Sequence, residues 1–180
     1  MIEIKLYIVN AREYNEGIWK AEAITLPTDG EEIEEVINRV TNNRENDFLI
    51  PDYECKAYLN SAYFDWASFD PCRLNTILQE LSELQEERGL SDEELVAMIE
   101  YAGWFDEAFE NLENYEYMFV PLERGTMEEL AEKLVTEYGW YEIPSNVLRF
   151  IDWGLVADEI QSNCSDVYIA NNNIAIVSLD

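Results

Sequence analysis

The 180-residue sequence predicts an α+β protein built as three small units: an α+β unit over residues 1–60, a helical unit over 61–113 and a second α+β unit over 114–180. Three observations predict this. Apolar residues alternate with period two near the N-terminus, recur at helical spacing through the middle, and show both periods toward the C-terminus. Helix starts are marked by Ser91-Asp92-Glu93-Glu94 and Thr126-Met127-Glu128-Glu129, two capping-box patterns. Stops are marked by Gly89, Gly103 and Gly139, since glycine alone enters the left-handed cap without strain.

In the first unit, residues 2–9 read as a strand with Ile2, Ile4, Leu6 and Ile8 on one face. Tyr14-Asn15-Glu16-Gly17 reads as a turn into a second strand over 18–26. Residues 31–41 carry Ile33, Val36, Ile37 and Val40 at helical spacing, and 48–50 and 57–59 are short strands. In the second, Leu74, Ile77, Leu78, Leu81 and Leu84 form a helical stripe with Glu80, Glu83 and Glu87 opposite. A helix from the Ser91 box buries Leu95, Val96 and Ile99, and another spans 105–112. In the third, 115–120 is a strand, and Leu130, Leu134, Val135 and Tyr138 mark a helix from the Thr126 box to Gly139. Asp152 caps a last helix to about residue 162 that buries Leu155, Val156 and Ile160. Residues 167–170 and 174–178 close the chain as a hairpin through Asn171-Asn172-Asn173, because asparagine tolerates positive φ.

Composition narrows the function. There are 39 acids against 11 bases, a formal net charge of −28, and no histidine. Ser-His-Asp and Cys-His catalysis and histidine-ligated metals are therefore excluded, and a nucleic-acid binder would need the opposite sign. With 48% apolar residues the chain can bury a core, so a folded protein is expected. Cys55, Cys72 and Cys164 make no C-x-x-C pair, so neither a disulfide framework nor a zinc ribbon is expected. With no signal-like or membrane-length apolar run, the expected location is the cytoplasm.

The acid is spread through all three units: 6 bases face 13 acids in residues 1–60, 3 face 16 in 61–125, and 2 face 10 in 126–180. With so many carboxylates, chance alone puts pairs within catalytic range, so no glycosidase couple is inferred and no catalytic residue is assigned. Asp29-Gly30-Glu31-Glu32 lacks the ligand alternation of a calcium loop, and no metal or other cofactor is expected. The aromatics Tyr53, Tyr58, Tyr63, Phe64, Trp66 and Phe69 lack the neighbouring cations of a base-stacking platform and read as core or protein contact. Trp104, Phe105 and Phe109 read as core.

The acidic middle is the feature that needs explaining. An ordinary solvated helix would interleave lysine with glutamate at i,i+4. Residues 74–116 instead hold one base, Arg88, against Glu80, Glu83, Glu86, Glu87, Asp92, Glu93, Glu94, Glu100, Asp106, Glu107, Glu110, Glu113 and Glu116. These thirteen acids are the candidate partner-binding residues. Duplex DNA carries one charge per ~1.7 Å of axis, so 28 charges match about 48 Å, or roughly 14 base pairs. Imitation of a polyanion is one explanation; adaptation to high salt is another.

Particular segments resemble the ArdA antirestriction proteins. They are Tyr14-Asn15-Glu16-Gly17, Phe48-Leu49-Ile50-Pro51-Asp52-Tyr53-Glu54, Glu107-Ala108-Phe109-Glu110, residues 127–139, and Phe150-Ile151-Asp152-Trp153 followed by Ala157. The chain departs from the family pattern at Ala21-Glu22-Ala23, where a Gly-x-Trp is common, and at Cys55, where glycine is usual. The resemblance implies an elongated, curved chain of three small domains that forms a homodimer through the third. It also implies a non-enzymatic inhibitor that mimics bent B-form DNA and occupies the DNA-binding groove of type I restriction-modification enzymes, on their methyltransferase core. The competing expectations are an acidic module for another basic DNA-binding protein and a salt-adapted acidic protein.

Overall fold

The computed structural model describes residues 2–42, 47–57, 70–163 and 167–179. Strand β1 (Ile4–Asn10) is the middle of an antiparallel sheet, between β2 (Ala21–Leu26) and β3 (Phe48–Cys55). Its alternation holds: Ile4, Leu6 and Ile8 are buried, together with Ile33, Val36 and Val40 of helix α2 (Gly30–Thr41). The predicted turn at Tyr14 begins as a five-residue helix, α1 (Ala11–Asn15), because the Asn10 side chain accepts the amides of Arg12 and Glu13 at 3.0 Å. Gly17 then reverses the chain at φ 82°. Strand β2 starts at Ala21 rather than residue 18, leaving Ile18 and Trp19 exposed.

The short strand predicted at 48–50 runs on through Pro51 as one eight-residue strand, and most of the one predicted at 57–59 lies outside the described residues. The registers Val9↔Leu49 and Tyr7↔Asp52 leave Ile50 and Pro51 opposite Ile8 alone, so the proline sits in a bulge of an edge strand. There its missing N–H costs no ladder bond. Ala57 lies past the strand and is buried, while Leu59 and the aromatics Tyr58, Tyr63, Phe64, Trp66 and Phe69 fall outside the described residues.

The middle of the chain is three helices: α3 (Pro71–Arg88), α4 (Asp92–Ala102) and α5 (Phe105–Asn114). Gly89 and Gly103 close α3 and α4 in the left-handed conformation. The Ser91 capping box is complete: the hydroxyl accepts the Glu94 amide at 3.2 Å and the Glu94 carboxylate accepts the Ser91 amide at 2.8 Å. Leu74, Leu78, Leu81, Leu95, Ile99, Phe105, Ala108 and Leu112 belong to one apolar core with the N-terminal sheet. Trp104 and Phe109 are half-buried against that core. Buried Asn75 stitches α3 to the sheet side, accepting the Thr28 amide at 2.7 Å and donating to the Thr28 carbonyl at 3.0 Å.

The C-terminal part pairs β4 (Tyr117–Pro121), β6 (Ile174–Ser178) and β5 (Val167–Ile169), in that antiparallel order, with helices α6 (Met127–Thr136) and α7 (Trp153–Asn163). A second core collects Val120, Leu130, Leu134, Ala157, Ile160, Ala175 and Val177. Three expectations fail here. The Thr126 box is only half made: its hydroxyl accepts the Glu129 amide at 3.3 Å, but the Glu129 carboxylate turns to the β4–α6 loop. Leu155 is 68% exposed, not buried, because it sits about 200° around α7 from Ala157, on the far side from Ile160. Tyr138 likewise lies beyond the end of α6 and is exposed.

Candidate partner-binding surface

Helix α3 shows how the acidic face is built. At ~100° per residue, Glu80, Glu83, Glu86 and Glu87 fall within an arc of about 120°, opposite the buried arc of Leu74, Leu78, Leu81 and Gln85. All four are exposed. From Glu80 to Glu87 is seven residues, about 10.5 Å at ~1.5 Å per residue, so the face carries roughly one charge per 3.5 Å. One strand of duplex DNA carries one per ~3.4 Å.

On α5, Glu107, Glu110 and Glu113 are exposed on the side away from buried Phe105, Ala108 and Leu112. Helices α3 and α5 pack against each other through their apolar sides, and both acidic faces turn outward. Asp92, Glu93 and Glu116 are exposed as well. Ten of the thirteen predicted residues are therefore solvent-facing.

The remaining three are half-buried and have structural work. Glu94 completes the Ser91 box. Asp106 meets Arg73 at 3.2 Å. Glu100 is drawn away from the acidic faces to the C-terminal hairpin, where its Oε2 accepts the Asn171 amide at 2.9 Å and the Asn171 side chain at 3.2 Å. Asp92, though exposed, accepts from buried Gln85 at 2.9 Å and helps close the α3–α4 turn.

The electrostatics separate acids with a local reason from acids without one. A carboxylate in the first turn of a helix is favoured by the macrodipole, which accounts for Asp92, Glu93 and Glu94 on α4 and Asp106 and Glu107 on α5. Glu86 and Glu87 lie in the last turn of α3, where the same dipole opposes them. The one base nearby gives them no ion pair. Arg88 directs its guanidinium to backbone carbonyls at the C-terminal end of α5, Tyr115 at 3.1 Å and Glu113 at 3.4 Å. Among the described residues no ion pair involves Glu80, Glu83, Glu86, Glu87, Glu107, Glu110 or Glu113.

Elsewhere acids are tied down. Glu54 meets Lys5 at 3.6 Å and accepts from the Tyr7 hydroxyl, and the two together hold its carboxyl below the usual range, the Tyr7 bond contributing most. Glu129 is 5% exposed and accepts the amides of Glu123 at 2.5 Å and Arg124 at 2.7 Å. The Glu123 amide bond is the main reason its carboxyl is also held low. Sequence pattern did not separate Glu129 from the surface acids, because its place in a capping box explains its identity without predicting its burial. Pattern also missed the exposed apolar residues Phe150 and Leu155. The available signal was their position outside the Ala157–Ile160 stripe.

Among the described residues no group of three or more histidine, cysteine or acidic side chains is placed to hold a metal ion, and no helix is long and apolar enough to cross a membrane. The described residues thus present a field of exposed carboxylates on a helical scaffold. The ArdA antirestriction protein family model matches residues 6–173. The chain belongs to the ArdA family of antirestriction proteins, which inhibit type I restriction enzymes. No curated protein compared with the chain matches it.

Proposed function

We propose that the protein inhibits as a decoy: it imitates bent B-form DNA and occupies the DNA-binding groove of type I restriction-modification enzymes, on the methyltransferase core, without catalysis. The observation that carries this reading is the α3 face, where four exposed carboxylates average the axial charge density of one phosphate strand with no cation among the described residues paired to them. Such a face costs stability through self-repulsion and returns nothing to the fold. In the groove of a DNA-handling enzyme it meets lysines and arginines placed for phosphates.

Of the thirteen acids the ten exposed ones act collectively, those on α3 and α5 forming the main contact, while Glu94, Glu100 and Asp106 serve the fold that presents them. Residues 1–60, 61–113 and 114–180 are read as three units of an elongated decoy that works in the cytoplasm. A homodimer through the third unit would double its length. Phe150, 73% exposed, and Leu155 supply apolar surface for that contact.

The decisive experiment is competition between the full chain and duplex DNA for a purified type I methyltransferase core, repeated across a salt series. Mutually exclusive binding that weakens steeply with salt is expected. A ternary complex with DNA still in its groove would overturn the proposal.

A further inference from the structure

Strand β6 has core on both faces. Ile174 and Ile176 belong to the core shared with α4 and the N-terminal sheet, and Ala175 and Val177 to the core of α6 and α7. Apolar contact of this kind is strong but non-directional, so by itself it leaves the angle between the two bodies loosely set. Directional bonds are concentrated at the end of the same strand. The β5–β6 turn reaches α4 twice: Asn171 donates its amide and side chain to Glu100, and the Asn172 side chain donates to the Glu93 carbonyl at 2.8 Å. The turn is itself fixed, with Asn173 at φ 60° and its carbonyl accepting the Leu122 amide at 2.8 Å. Tyr101 of α4 packs its ring against Tyr117 of β4 and Tyr168 of β5 beside the clasp.

We propose that Glu100, acting through Asn171 and supported by Asn172, is a positioning residue: the clasp sets the angle between the acidic helices and the C-terminal sheet, and that angle governs the fit to the enzyme. The second half of this statement rests on the decoy reading above; the first does not. Glu100 then differs in kind from Glu80 or Glu107. Its negative charge matters less than its oxygen as an acceptor, because an ordered acceptor for two donors at a helix end is what holds the hairpin down.

Three variants of the full chain separate the roles. Glu100→Gln and Glu100→Ala delete the same charge, but only glutamine keeps an acceptor for Asn171. Asn171→Ala keeps the charge and the backbone donor and removes one of the two bonds. Each is assayed for displacement of duplex DNA from a type I enzyme at fixed salt. Melting temperature is measured alongside, and residual dipolar couplings report the orientation of α3–α5 relative to the β4-β6-β5 sheet. E100A should weaken displacement about tenfold and N171A about threefold, with E100Q within about twofold of wild type, following the number of bonds between Glu100 and Asn171 that each removes. The couplings should report a changed angle for the two alanine variants and the wild-type angle for E100Q.

Equal losses for E100Q and E100A at an unchanged angle would mean that Glu100 acts by charge, and would overturn the proposal. So would N171A matching wild type in both readouts. Should E100A melt below the assay temperature, N171A and E100Q carry the test. Wild-type protein that binds the enzyme without displacing DNA would sink the decoy reading, and the couplings would still decide whether the clasp sets the angle.

Discussion

The N-terminal sheet and the outer face of α3 are made with the same acidic alphabet and treat it in opposite ways. Around the sheet, Lys5, Arg12, Lys20 and Arg39 each meet a glutamate within 3.6 Å, so Glu13, Glu16, Glu22 and Glu54 there are answered by base. On α3 four glutamates stand together, and Arg88 beside them turns to backbone carbonyls. Exposed ion pairs contribute little to stability, roughly 0–1 kcal/mol each. The difference therefore concerns the field projected into solvent more than the fold. A surface answered locally is silent at a distance, whereas an unanswered one reaches out over a Debye length of about 8 Å at physiological salt.

The strongest way to break this contrast is to reverse the α3 face. The quadruple variant Glu80→Lys, Glu83→Lys, Glu86→Lys, Glu87→Lys should weaken displacement of DNA from a type I enzyme by at least about a hundredfold at low salt, and flatten the salt dependence. Circular dichroism should show the fold retained, with a melting temperature equal to or above wild type, since Glu86 and Glu87 oppose the α3 dipole and lysine would not. Unchanged inhibition would mean that the face is only solvated surface. Reversing the same number of acids around the sheet, at Glu13, Glu16, Glu22 and Glu35, should cost much less inhibition, because those charges are already paired.

Glu129 sharpens the contrast from the other side, as a carboxylate that serves the fold alone. Its folded pKa is depressed, by the Glu123 amide first, so its stabilising effect is fully present above the ordinary glutamate range and is lost as pH falls through the folded value. Glu129→Gln should lower the melting temperature at neutral pH more than neutralising any single exposed glutamate of α3, and should shrink the difference from wild type on acidification. A wild-type and variant pair whose melting temperatures fall in parallel from pH 6 to pH 3 would contradict that role. Glu129 lies outside the acidic helices, so inhibition by whatever fraction remains folded should be unaffected.

The exposed apolar residues give a third test, with an effect on mass rather than affinity. Phe150→Glu with Leu155→Glu should convert a dimer to a monomer in light scattering at micromolar concentration and leave the melting temperature nearly unchanged, because both side chains are already in solvent. The wild-type chain running as a monomer would remove the dimer from the proposal and leave the α3 face intact.

How far the sequence reached depended on whether the deciding interaction was local. The helices α2 to α7, the Ser91 box, the Gly89 and Gly103 caps and the closing hairpin follow from spacing and caps within a few residues and form close to where predicted, although α6 stops at Thr136, short of Gly139. Pro51 misled because its tolerance depends on β3 being an edge strand with a bulge, which only pairing with β1 decides. Leu155 misled because α7 has apolar residues on two sides and packing chooses between them. Among the acids, composition and the single base in 74–116 marked out a stretch whose acids are mostly exposed. What it could not sort were Glu100, Asp106 and Glu129, whose partners lie 71, 33 and 5–6 residues away. The two continuous faces of β6 were written in Ile174-Ala175-Ile176-Val177, four apolar residues in a row where a half-exposed strand would alternate.

The smallest expected effect is the one most specific to a collective field. Glu83→Gln removes one of four neighbouring charges and no hydrogen bond, so inhibition should change by less than about twofold and stability should hardly move. Adding Glu80→Gln and then Glu87→Gln should give losses that accumulate step by step, each accompanied by a shallower salt dependence, because every removed carboxylate is one fewer substitute for a phosphate. A hot spot would behave otherwise, with one substitution taking most of the affinity and the others little. The titration series distinguishes the two by shape, and an abrupt loss at any single glutamate, with the fold intact, would replace the picture of a continuous charged face with that of a discrete docking contact.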